Sequence, residues 1–92
     1  MAVYVDEIRD HNGVDNPATR KHGHAWCHMV ADSREELDAM ARAIGLKTAY
    51  RQHSGKPLEH YDLTPRRREA AIGKGAIALT GEEFRRLLAG RV

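Results

Sequence analysis

"HAWCHMVADSREELDAMARAIG", residues 24–45, changes its period halfway along, and that change decides the fold. Over residues 24–31, Ala25, Cys27, Met29 and Ala31 alternate with Trp26, His28 and Val30. A period of two predicts a strand with two distinct faces. Beyond Asp32 the period becomes helical. Leu37, Met40, Ala41 and Ile44 fall at i, i+3, i+4 and i+7 and make one apolar stripe. Ser33 and Glu36 have capping-box spacing at its start, and Gly45 stands where a left-handed residue would end it. A strand running straight into an amphipathic helix is a building unit of a sheet covered by helices.

The flanking segments extend this alternation. "AVYVDEI", residues 2–8, predicts a strand with Val3 and Val5 on one face and Tyr4 and Asp6 on the other. Residues 9–23 carry Asn, Asp, Gly and Pro without a period, which predicts a long loop and a candidate flexible segment. Residues 46–53 read as a third strand, residues 54–57 ("SGKP") as a turn, and "EHYDL" as a short extended piece. Thr64 then caps a helix with Pro65 at its first position, running to about Lys74 and stopped by Gly75. Residues 76–80 ("AIALT") predict a last strand. Thr80 and Glu83 repeat the capping box before a helix with Phe84, Leu87 and Leu88 on its apolar face. The order β-β-α-β-α-β-α predicts an α/β protein. Its sheet is small, mixed and partly parallel, of about four strands with three helices packed on it, in a single domain over residues 1–92.

Composition bounds the function. The chain has 92 residues, 41% hydrophobic and 30% charged, in keeping with a globular domain with a modest core, so a homodimer is one expectation. A net charge of +2 does not mark the whole surface for nucleic acid, so any such footprint has to be local. The single cysteine, Cys27, excludes an internal disulfide framework. No apolar run approaches a bilayer span and the N-terminus lacks the pattern of a secretory signal, which gives a cytoplasmic expectation with no membrane partner. The phosphate-binding Gly-rich motifs and the GxSxG nucleophile motif are missing. Cys27 lies on the strand face opposite His28, so the two cannot form a nucleophile pair, and it reads as a small buried hydrophobe.

Six histidines are available: His11, His22, His24, His28, His53 and His60. Their spacing fits no standard zinc motif. His22 and His24 in the loop offer two imidazoles, and His60 and Asp62 point the same way if extended, so a divalent metal is a candidate cofactor. His28 is a polar group in an otherwise apolar strand and needs either a hydrogen-bond partner or a cleft. Asp32 adjoins a helix cap, where an acid is structurally useful.

Residues 58–71, "LEHYDLTPRRREAA", raise a second question. Arg66, Arg67 and Arg68 open a helix, whose start is its positive end, where each cation costs about 0.3–1 kcal/mol. About 100° separates successive side chains, so all three cannot face one ligand. Helix N-termini bind anions, and a phosphate there would offset the charge.

The segments "MAVYVD", "CHMVAD", "EEL" with "IGL", and "HYDLTPRRR" together resemble the small bacterial and phage proteins grouped as domain of unknown function 4031. The resemblance covers nearly the whole chain. It implies that Asp6, His28, Asp32, His60, Asp62 and an arginine among Arg66–Arg68 occupy the family's motif positions, and it implies no activity. The loop over residues 9–23 is longer and richer in histidine than that pattern. Two functional readings follow. In the first, His28, His60 and Asp62 are candidate catalytic groups, with Asp6, Asp32, Arg66, Arg67 and Arg68 as binding residues, for a phosphate-containing ligand, nucleotide or nucleic acid. In the second, the His/Asp groups are a structural network in a non-catalytic module, such as a phage accessory protein, that binds a host or partner protein. Convergence of His28, His60 and Asp62 within hydrogen-bond reach at an open cleft favours the first, and their burial in a mutually satisfied network favours the second.

Overall fold

The computed structural model describes residues 2–11, 13 and 15–91, without the side chains of Ala18 and His22. Among these residues five strands form one mixed sheet: β1 (Val3–Val5), β2 (Arg9–Asp10), β3 (Ala25–Ala31), β4 (Tyr61–Leu63) and β5 (Ile77–Ala78). Four α-helices among the described residues accompany it: α1 (Pro17–His22), α2 (Arg34–Ala43), α3 (Pro65–Gly73) and α4 (Gly81–Ala89). The mixed α/β class expected from the sequence is the class observed. Among the described residues no helix is long and apolar enough to cross a membrane.

β3 is the centre of the sheet. Met29 pairs with Val5 of β1 and with Tyr61 of β4, both antiparallel, so β1 and β4 occupy its two opposite edges. β5 adds to β1 in parallel through Tyr4 with Ile77 and Val5 with Ala78. β1 and β2 are successive stretches against β3. Val5 faces Met29, yet Arg9 faces Trp26, so the register slips by one residue around Glu7 and Ile8. Such a slip is a bulge, which re-aims nearby side chains.

Strand alternation then sorts the side chains. Val5, Cys27, Met29, Tyr61 and Leu63 face one way, where they bury against Leu37 and Ala41 of α2 and Ala71 of α3. On the other face, α4 brings Phe84 over the ring of His28 at 5.7 Å. Cys27 is a buried core residue, as its position predicts, and burial pushes its thiol up to about 12.

Helix boundaries follow the caps. Thr80 accepts from the Glu83 amide while Glu83 reaches back to the Thr80 amide, a complete capping box. At α2 the Glu36 amide donates to Ser33 Oγ, but the Glu36 carboxylate takes the Ser33 hydroxyl rather than a backbone N–H. Gly45 (φ 86°) turns the chain after α2.

Two expectations are corrected. Residues 9–23 are not a bare loop: β2 starts the segment, and Asn16, Pro17 and Thr19 make a capped helix start for α1. Six residues are too few to show an apolar period, so the cap is that helix's only sequence signal. Asn12 and Val14 lie outside the described residues. Residues 46–53 are not a strand. Thr48–Tyr50 form one 3-10 turn, and only Gln52 pairs, in an isolated bridge with His60. A strand needs a neighbour to satisfy its backbone, and β4, three residues long, offers none beyond that bridge.

Candidate functional site

The site is built on the sheet face opposite Cys27. The register places His28 directly across from Asp62. On the other edge of β3, the Asp6 amide donates to the His28 carbonyl (3.1 Å). Asp6, His28 and Asp62 are therefore neighbours across three strands, and His60, two residues before Asp62, falls on the same face.

Asp6 is 4% exposed and all of its polar groups are engaged. In a regular ladder its carbonyl would take the His28 amide. Instead Oδ1 of its side chain accepts that amide at 2.6 Å, and Oδ2 meets His28 Nδ1 at 3.0 Å. The displaced Asp6 carbonyl accepts from Arg68 Nε at 2.8 Å. This rearrangement lies at the start of the bulge and holds the His28 ring in place.

The His60 side chain is buried. Its Nδ1 lies 2.7 Å from the Leu58 carbonyl, and its Nε2 faces Asp62 Oδ1 at 3.3 Å. Asp62 Oδ2 accepts from Gln52 Nε2 at 2.7 Å. His28, His60 and Asp62 each present one ligating atom, and the three atoms lie within 4.8 Å of one another. The His28 and His60 rings meet edge to face at 5.1 Å, and His53, in a left-handed conformation (φ 56°), approaches His60 at 5.3 Å.

Burial alone would raise the Asp62 carboxyl, but hydrogen bonds from His60 and Gln52 and the nearby imidazoles outweigh it, and the group is held below the usual range. Burial would likewise lower His60. Its bonds to Asp62 and the Leu58 carbonyl, with the charges of Asp62 and Asp6, reverse that and hold it above its ordinary value. Both shifts favour the charged forms, an imidazolium on His60 donating to the Asp62 carboxylate.

Asp62 also lines a cleft of about 770 Å³. Gln52, Thr64, Arg67, Lys21, Lys47, Trp26 and Tyr50 are among its walls. The start of α3 opens onto this cleft, and among the described residues three cations line it beside a single carboxylate.

The three arginines separate, as the helical angle predicts. Arg66 is exposed, Arg67 lines the cleft, and Arg68 is turned inward to the Asp6 carbonyl. Asp32 is not part of the cluster. Its Oδ2 accepts from the Ala2 amide at 2.8 Å and from the Tyr4 hydroxyl at 3.4 Å, tying β1 to the far end of β3. Among the loop histidines, His11 stacks on Trp26 at 3.7 Å and His24 is exposed. Gln52, the Leu58 carbonyl and Phe84 belong to the site and were not expected. Gln52 falls in the misread strand, a backbone carbonyl has no side-chain signal, and Phe84 shows only as an apolar helix position.

The fold and the site together define a small mixed α/β protein with a His–His–Asp cluster at the edge of a basic cleft. The chain belongs to the family described as Protein of unknown function (DUF4031), whose model matches residues 13–91. No curated protein and no solved structure matches the chain.

Proposed function

We propose that this protein binds a phosphate-bearing ligand, a nucleotide or a nucleic-acid end, in the cleft at the start of α3. The observation that carries the reading is the convergence of His28, His60 and Asp62, with Asp62 shared between that cluster and the cleft. Arg67, Lys21 and Lys47 supply positive charge, with Arg67 able to engage phosphate oxygens in pairs. At the start of α3 Pro65 has no N–H and the Arg67 amide is taken by Thr64 Oγ1, so the backbone adds the Arg66 amide and a favourable dipole. The His60–Asp62 pair offers a proton donor and acceptor beside the bound group, the equipment for acid–base chemistry on a phosphate ester.

The test is binding of inorganic phosphate, mononucleotides and short oligonucleotides, followed by calorimetry and thermal shift. At least one is expected to bind and raise the melting temperature, and Arg67→Ala is expected to weaken that binding about tenfold or more. Binding by none, or binding indifferent to Arg67→Ala, overturns the reading.

A further inference from the structure

We propose that His28, His60 and Asp62 form a binding site for a divalent first-row transition metal of the zinc type. The argument starts with proton positions. His28 Nδ1 faces the Asp6 carboxylate and His60 Nδ1 faces the Leu58 carbonyl. A carboxylate and a carbonyl only accept, so each Nδ1 carries a hydrogen and Nε2 is the ring atom left for an ion; at His60 the ion would displace the Nε2 proton that bonds Asp62 in the metal-free protein. Metal-binding histidines are oriented in this way, by a carboxylate or a carbonyl on the nitrogen away from the metal. Here the same device occurs twice, on two rings at one site, from two separate parts of the chain.

The third donor is prepared similarly. Gln52 occupies Asp62 Oδ2 and leaves Oδ1 toward His60. Donors about 2.0–2.2 Å from a common ion lie roughly 3–3.5 Å apart in a tetrahedron. The His60–Asp62 separation of 3.3 Å already meets that spacing, and the full set lies within 4.8 Å. Closing on an ion therefore requires about an ångström of side-chain movement, within reach of small rotations of His28 and Asp62.

The donor set selects the metal class. Two imidazoles and one carboxylate suit zinc, cobalt, nickel or iron, whereas magnesium and calcium favour oxygen. Exposure indicates an open site. The side chains of His28 and Asp62 are 31% and 35% exposed while that of His60 is 5% exposed. Three protein donors with solvent access leave a coordination position for water or ligand, the arrangement of catalytic rather than structural zinc. An ion there would lie beside Asp62 at the cleft wall, so the inference deepens the phosphate reading. Metal affinity is nevertheless measurable with no phosphate present.

The experiment uses the full chain after chelator treatment, titrated with Zn²⁺ by calorimetry and with Co²⁺ by visible absorption. One ion per chain is expected, with Mg²⁺ binding at least 100-fold more weakly. Asp62→Asn and His28→Ala should each weaken Zn²⁺ at least tenfold, and Asp6→Asn, which removes only a positioning group, about 10–100-fold. His24→Ala, an exposed loop histidine, should change nothing. Nitrogen NMR of the imidazoles gives an independent readout, with Zn²⁺ moving Nε2 of both His28 and His60. The readout needs no variant and so survives any that fails to fold. No binding at one equivalent, binding unaffected by Asp62→Asn, or shifts confined to other histidines overturns the proposal. Zn²⁺ binding without phosphate binding would leave this site standing and sink the cleft reading, and the converse would do the opposite.

Discussion

Tyr61 and Asp62 are adjacent in β4 and face opposite sides of the sheet, and each centres a polar network of a different kind. On the core side, the Tyr61 hydroxyl donates to Asp38 Oδ1 at 2.6 Å and Arg51 donates to Asp38 Oδ2 at 2.5 Å. Arg51 also donates to Ser54 at 3.0 Å. Both Asp38 oxygens have a donor, and the network fastens α2 to β4 and the turn between them. On the other side, His28 and His60 converge on the Asp62 carboxylate, and each ring is held through Nδ1, by the Asp6 carboxylate and the Leu58 carbonyl respectively. Satisfied polar groups specify a fold, whereas electron pairs converging on a partly open space are what a ligand needs.

The largest expected effect separates these two neighbours by stability. Tyr61 is fully buried, and its truncation leaves a cavity and takes the hydroxyl donor from Asp38 Oδ1. Tyr61→Ala should destabilise by about 3–5 kcal/mol in urea unfolding. Asp62→Asn keeps the shape and loses one partly exposed ion pair, so it should cost about 1 kcal/mol or less. Equal costs would show that the His–Asp cluster holds the fold together as much as the core network does, and the contrast would fail.

Acid sharpens the contrast further. Burial would raise Asp38, but the bonds from Tyr61 and Arg51 outweigh it and hold the carboxyl below its usual 3.8. A depressed folded value means that Asp38 contributes its stability in full above that ordinary value. The contribution is lost as pH falls through the folded one. Asp38→Asn should therefore be less stable than the parent by about 1–3 kcal/mol near neutrality. The gap should narrow below about pH 4. Urea midpoints across pH 2–7 measure it, and a gap that stays constant in acid would mean the carboxylate charge contributes nothing.

Much of this site was legible because strand parity is legible. The alternation around His28 and around Val5 placed Asp6 and His28 on non-core faces before any pairing was known. Which strands pair, and in what register, depends on contacts between distant segments. That Asp6 lies beside His28, 22 residues away, therefore came only with the fold. Asp32 shows the opposite case. It shares a motif with His28, but four residues along a strand span about 13 Å, so proximity in sequence excluded proximity in the site. The α1 helix was hidden by its brevity, and Gln52 by a strand that lacks a neighbour.

The smallest expected effects concern the arginines, where three identical adjacent residues should give three different results. Arg68→Ala removes a bond to the Asp6 carbonyl and should cost about 1 kcal/mol of stability. It should also loosen His28 through Asp6. Arg67→Ala should change stability by less than about 0.5 kcal/mol, yet weaken phosphate in the cleft it lines. Arg66→Ala should do neither, since its side chain is exposed and lines no part of the cleft. Paired unfolding and phosphate titrations on the three variants decide the matter. If Arg66→Ala weakens phosphate as much as Arg67→Ala, the anion is held by diffuse charge around the helix start rather than by the cleft. The sheet face bearing Asp62 would then lose its claim to differ in purpose from the face bearing Tyr61.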